Sequence, residues 1–182
     1  MAIQHGVVIG LVDDLDDPDG LARVRVTYPH LADEPSNWAR LALPMAGPGR
    51  GTFFRPEKGD EVLIVCEHGD IRQPYIIGSL WSATDKPPDG TGAAADNNIR
   101  VIVSRSGHRI TLDDTAGAER IEIRDQSGQQ TVVLDGSSIT VKADGRNVTI
   151  HAAQNVTVSA GSDLNLTANG NVVISGTAVR IN

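Results

Sequence analysis

The residues able to do chemistry are few and scattered. Asp13, Asp14, Asp16, Asp17 and Asp19 crowd one loop that ends on Gly20, and carboxylates ahead of a glycine are the material of a calcium loop. The register is wrong for one. With Gly20 set at the calcium-loop glycine, Leu15 falls on the first ligand position and Val26 falls where a bidentate glutamate belongs. Gly47-Pro48-Gly49-Arg50-Gly51 has the glycine content of a phosphate cradle but lacks the Gly-Lys-Ser/Thr ending and the helix that must come after it. It reads as a hairpin tip. Cys66 is the single cysteine and closes the apolar run Val62-Leu63-Ile64-Val65-Cys66, the setting of a buried, inert thiol rather than a nucleophile, and it rules out an internal disulfide framework. No paired carboxylates, Ser-His-Asp set or metal cluster stands out. The expectation is no catalytic residue, no metal site and no cofactor.

The elements around these residues carry more information. All nine prolines lie between Pro18 and Pro88, and all the aromatic residues, Tyr28, Trp38, Phe53, Phe54, Tyr75 and Trp81, lie at or before position 81. Composition therefore divides the chain into a first domain at 1–81, a linker at 82–98 and a second domain at 99–182. The second, with only Val, Ile, Leu and Ala to bury, lacks the aromatic area from which a thick core is built in one copy. It needs partners or a repetitive architecture. A net charge of −7 and a pI near 5.1 argue against a nucleic-acid partner, whose phosphates want Lys and Arg. No charged-then-apolar leader opens the chain and no apolar run approaches the roughly 20 residues that cross a bilayer, so synthesis in the cytoplasm is expected.

Over residues 6–81 short β-type runs alternate with turn chemistry. Val7-Val8-Ile9-Gly10-Leu11-Val12 and Arg23-Val24-Arg25-Val26 flank Asp17-Pro18-Asp19-Gly20, whose residue types suit a type I turn. Further strands are expected at Trp38–Leu43, Glu61–Cys66 and Tyr75–Leu80, with His68-Gly69-Asp70 as a turn. Five strands in about 75 residues suit a small OB-fold barrel; an SH3-like barrel competes.

The second domain is periodic. Apolar pairs recur every eight residues at Val148/Ile150, Val156/Val158, Leu164/Leu166 and Val172/Ile174. A small residue comes after each, at Ala152, Ala160, Ala168 and Gly176, and Asn147, Asn155, Asp163 or Asn171 opens each unit. Period-2 alternation sends three residues of each octad to one face of a short strand, and the Asn or Asp suits a corner. A single-chain β-helix is one solution, but four octads are few for rungs that must stack on one another. Three copies wound about a common axis, an intertwined trimeric β-helix in the form of a triangular prism, make the count sufficient. The eight apolar residues are then the trimer core, and a charge at Val158 or Leu166 places three like charges on the axis. Looser pairs at Val101/Val103, Ile110/Leu112, Ile121/Ile123, Val132/Leu134 and Ile139/Val141, with Val179/Ile181 at the end, extend the pattern to a needle on the order of 50 Å long at ~4.8 Å per pair. The Asn-X-Thr sequences at Asn147, Asn155 and Asn165 fall inside the repeat and read as repeat grammar rather than glycosylation acceptors.

Gly6-Val7-Val8-Ile9-Gly10, Asp17–Val26, Trp38-Ala39-Arg40, Pro44-Met45-Ala46-Gly47, Phe54–Val62 and Gly69–Trp81 together resemble the OB domain of phage baseplate assembly protein V. They are also similar to the valine-glycine repeat spike proteins of type VI secretion systems. Ser106-Gly107-His108-Arg109-Ile110 is similar to the entry into that family's β-helix. The resemblance implies an all-β homotrimeric spike at the centre of a baseplate, assembled into a virion or an extracellular contractile injection particle. Its OB end would meet a trimeric hub protein, and its needle would make transient contact with the target membrane as it pierces the envelope. Some short phage spikes in this family close on a His-X-His iron site. His5, His30, His68, His108 and His151 contain no such pair, and the ending at Ile181-Asn182 implies a separate tip protein of the proline-alanine-alanine-arginine repeat (PAAR) type. No inserted lysozyme domain or effector is expected. The rival readings are a trimeric fibre or adhesin, and an OB-fold nucleic-acid-binding protein.

Overall fold

The computed structural model describes residues 6–31, 34–92 and 95–181; His5 and Asn182 lie outside them. The chain divides into two units, Met1–Asn97 and Asn98–Asn182, and the expected linker at 82–98 falls almost wholly at the end of the first. Strands dominate, and the only helical turns in the described residues are short 3-10 pieces at Pro29–Leu31 and Glu67–Gly69.

The first unit contains β1 (Val7–Asp14), β2 (Arg25–Tyr28), β3 (Glu34–Pro35), β4 (Arg40–Leu41), β5 (Ala46–Gly47), β6 (Arg50–Gly51), β7 (Glu61–Cys66) and β8 (Pro74–Ser79). One sheet runs β3-β2-β1-β7-β8-β4, and β5 and β6 make a separate hairpin. Every pairing in the large sheet is antiparallel except β4 with β8, where Arg40 faces Tyr75 and Leu41 faces Ile76. Val24 and Ala39 then exchange backbone hydrogen bonds of 3.0 and 2.7 Å, which joins the approach to β4 to the approach to β2 and closes the ring. This is the five-stranded Greek-key barrel of the OB fold, and it decides against the SH3-like alternative.

Alternation along β1 turns Val8 and Val12 inward, where they meet Val24, Val26, Tyr28, Ala39, Val62, Ile64 and Ile76. Gly10 lies on the same inward face, and a Cβ there would stand 2.5 Å from Ile64 Cδ1 and 3.1 Å from the Thr27 carbonyl oxygen. The barrel interior has no room for a methyl at that position. The strand expected at Trp38–Leu43 is shorter than its apolar pattern, ending at Leu41 with one more bond from Ala42 N–H to the Ile76 carbonyl, 2.8 Å. Pro44 comes soon after, with no N–H to extend a ladder.

The acidic loop is satisfied from within. Gly20 N–H donates to the Asp17 carbonyl at 3.0 Å, closing the expected turn. The Asp17 carboxylate, only 2% exposed, accepts from the backbone of Leu21 and Arg23 at 3.0 Å each and from the Arg23 guanidinium at 2.6 Å. Arg23 also reaches Asp19, so one guanidinium serves two carboxylates of the loop. Its hydrogen bonds hold the Asp17 carboxyl far below the usual carboxylate range.

The second unit opens with β9 (Ile99–Val103), β10 (Arg109–Asp113), β11 (Arg120–Arg124), β12 (Gln130–Asp135) and β13 (Ile139–Ala143). They form one antiparallel sheet in chain order. Here the structure departs from the sequence reading: residues 99–143 reverse at every turn instead of adding windings of the octad type, and the ten-pair needle length does not apply. The cause is spacing. Strands that begin nine to eleven residues apart leave enough chain for a hydrogen-bonded reversal, such as Gly107 N–H to the Ser104 carbonyl (2.8 Å) or Gly128 N–H to the Asp125 carbonyl (3.1 Å). Among the described residues, the segment 147–181 has no strand partner, and the chain there bends at 153–154, 161–162 and 169–170, eight residues apart, and again at 176–177. The first three corners thus fall on the two variable residues just ahead of an Asn or Asp.

Candidate functional site

The features of this chain that call for partners lie on its surfaces. Register fixes the faces of the β9–β13 sheet. Ile102, Ile110, Ile123, Val132 and Val141 stand opposite one another in one row across all five strands. Leu112, Ile121, Leu134 and Ile139 make the next row, with Arg100 taking the β9 place. Both rows lie on one face because residues two apart along a strand share it. Ile123 is 48% exposed and Ile139 74%. The paired residues anticipated from sequence are brought together here, with one correction. Val101 and Val103 face Thr111 and Arg109 on the opposite side, so Ile102 carries the row on β9.

The reverse face is polar and better covered. Thr111 and Asp113 are buried. Arg120 meets Asp113 at 3.1 Å and Glu122 at 3.8 Å, Arg124 meets Glu122 at 3.8 Å, and Arg109 Nε donates to Thr111 Oγ1 at 3.1 Å. Sequence reasoning missed this charge ladder, although Arg120, Glu122 and Arg124 alternate within one strand. A sheet that pairs its charges on one face and leaves its isoleucines in water on the other has an apolar face with no cover in a lone chain. The turns that join the strands are built on carboxylates. Ser127 and the Gln130 N–H bring the Asp125 carboxyl down to about 2, and Ser137 with the Ser138 N–H does the same for Asp135.

The octads show the same unmet need. Val148, Ile150, Val156, Val158, Leu164, Leu166, Val172 and Ile174 are each more than half exposed, from 54% at Val172 to 77% at Ile150. Every described residue from Asp144 to Ile181 is exposed. Among the described residues, no backbone hydrogen bond ties 147–181 to the rest of the chain. The single chain packs none of the eight into a core; the buried cluster belongs wholly to the barrel.

In the barrel, Leu21, Met45, Phe53 and Phe54 are exposed around an open groove of about 510 Å³, together with Arg40 and Arg50. The Cys66 thiol is raised by burial, then by the Asp70 carboxylate nearby. Among the described residues no set of three or more His, Cys, Asp or Glu side chains is grouped to hold a metal. No helix of the described residues is long and apolar enough to cross a membrane.

A family model described as the type VI secretion system/phage-baseplate injector OB domain matches residues 8–81, the closed barrel. The type VI secretion system spike protein VgrG3 of Vibrio cholerae is 26% identical over 137 residues, 69% of this chain. The spike protein VgrG1a of Pseudomonas aeruginosa is 27% identical over 149 residues, 76% of this chain. The actin cross-linking toxin VgrG1 of Vibrio cholerae is 24% identical over 147 residues, 70% of this chain. These alignments run beyond the barrel into the second unit. They cover only 13% of the first and third relatives and 23% of the second, so the chain spans a small part of each.

Proposed function

We propose, from the match of residues 8–81 to the type VI secretion system/phage-baseplate injector OB domain and the likeness to VgrG spike proteins, that this chain belongs with phage baseplate assembly protein V and the type VI valine-glycine repeat spike proteins and is the central spike of a contractile injection machine. Three copies associate through the apolar faces of their second units, and the octads of all three wind into a triangular β-helix. The OB barrels connect this needle to a trimeric hub, a PAAR-type tip protein caps its far end, and contraction drives the assembly through an envelope. The chain works mechanically rather than as an enzyme, and its working residues are the inward apolar pairs of the octads.

The observation that carries this reading is the mismatch between backbone pattern and burial in the second unit. Strand-forming, regularly bent octads leave Val156, Val158, Leu164 and Leu166 in water in one copy. In a threefold winding each strand gains neighbours above and below from other chains, and its backbone groups find the partners they lack. The same operation turns the apolar rows of β9–β13 inward and keeps the Arg120-Glu122-Arg124 ladder outside.

The reading is tested by labelling the first unit with a gold-binding tag and imaging purified contractile particles by electron microscopy. The label is expected on the particle axis at the baseplate. Label along side fibres, or particles without the chain, would contradict the assignment.

A further inference from the structure

We infer that the second unit assembles in a fixed order: copies first join through the hairpin sheet over 99–143, and only then do the octads over 147–181 wind. The inference rests on the trimeric reading and adds to it a division of labour between two adjacent segments.

The two segments bring very different states to the encounter. In one chain the β9–β13 sheet already has its backbone ladders formed, so joining two copies orders little beyond side chains. Among the described residues the octads have no backbone partner in one chain, so the first contact between octads must fix backbone dihedrals along with every bond it makes, the pattern of a costly nucleus. The sheet is also large enough to act alone. Two rows of half-exposed Ile, Leu and Val side chains present on the order of 800 Å² of apolar surface per copy, about what a standard interface hides on each partner. The occupant is therefore a second copy of the same face.

Proximity then does the rest. Only residues 144–146 separate the end of β13 from the first octad. Once three sheets have met, three octad segments are tethered within a few residues of one another, at an effective concentration in the millimolar range for short linkers. β13 also lies at the end of its sheet, with one edge of backbone groups open beside the place where the first octad begins, and an open edge is a template for strand addition.

Two variants of the full chain separate the roles. Ile110→Thr/Ile123→Thr removes apolar surface from the sheet and keeps β-branched residues suited to strands. Leu166→Asp charges an octad and leaves the sheet intact. Oligomeric state by native mass spectrometry and amide hydrogen exchange are read together. The wild type is expected to be trimeric with octad amides protected. Leu166→Asp is expected to remain trimeric with octad protection lost. The double variant is expected to be monomeric, with octad amides exchanging as in an unfolded peptide although the octad sequence is untouched and the β9–β13 amides stay protected. A double variant that is trimeric with protected octads, or a monomeric Leu166→Asp, would overturn the proposed order. A monomeric wild type would instead overturn the trimeric reading on which it rests.

Discussion

Asp125 and Asp135 each hold a hairpin turn by accepting bonds from residues two to five positions on, including Ser127 N–H at 3.1 Å and Ser137 N–H at 2.8 Å. Their carboxyls fall from an ordinary 3.8 to about 2 on folding. A depressed carboxyl stabilises the fold at pH above its unfolded value, and that contribution disappears as pH falls through the folded one. Amide exchange at these turns is therefore expected to be constant from neutral pH to about 4, once corrected for intrinsic rates, and to accelerate between about 4 and 2. Asp125→Asn should remove that acid step from its own turn, and turns equally protected at pH 2 and pH 5 would contradict this. Gly10 makes a second prediction at the same scale. Gly10→Ala must push a methyl against Ile64 and the Thr27 carbonyl, and urea unfolding of the barrel should show a loss of about 1–3 kcal/mol; a change under about 0.5 kcal/mol would show that the interior relaxes. The turn at Asp17-Pro18-Asp19-Gly20 could be read from residue types. That Arg23 pairs with its carboxylates could not, because the pairing depends on how the loop folds back six residues.

At the scale of elements, period-2 alternation located β1, β7 and β8 to within a residue or two because each keeps a buried face. Trp38–Leu43 has a similar pattern but yields only Arg40–Leu41, since pattern alone does not see that Pro44 and a parallel partner end the ladder early. The octads were legible for a different reason: exact repetition leaves little choice of local shape, and the first three bends recur at the predicted spacing. The upstream pairs were legible as strands but not as hairpins, because an apolar pair reads the same whether the chain winds on or turns back. Within an octad, alternation separates Val158 from Thr157. Val158→Asp should abolish octad protection and lower the melting temperature of the needle, at a cost of several kcal/mol per chain, whereas Thr157→Asp on the outer side should change stability by less than about 0.5 kcal/mol. Equal effects in thermal melts would contradict the assigned inside and outside.

At the scale of the whole molecule, the chain has a closed barrel with its own core and a second unit that exposes nearly all of its large apolar side chains. The composition foretold this, since every aromatic residue lies at or before Trp81 and the remaining half offers only small and branched apolar side chains for a core. Which partner would supply the missing core was not legible from composition; on the proposed reading, threefold symmetry lets further copies of the same chain supply it. The most direct test is the mass of the full chain in native solution, by native mass spectrometry and by sedimentation at micromolar concentration. Three copies of a 19.3 kDa chain predict a single species near 58 kDa that persists on dilution. A folded species of one chain mass, with the β9–β13 and octad amides protected, would contradict the account.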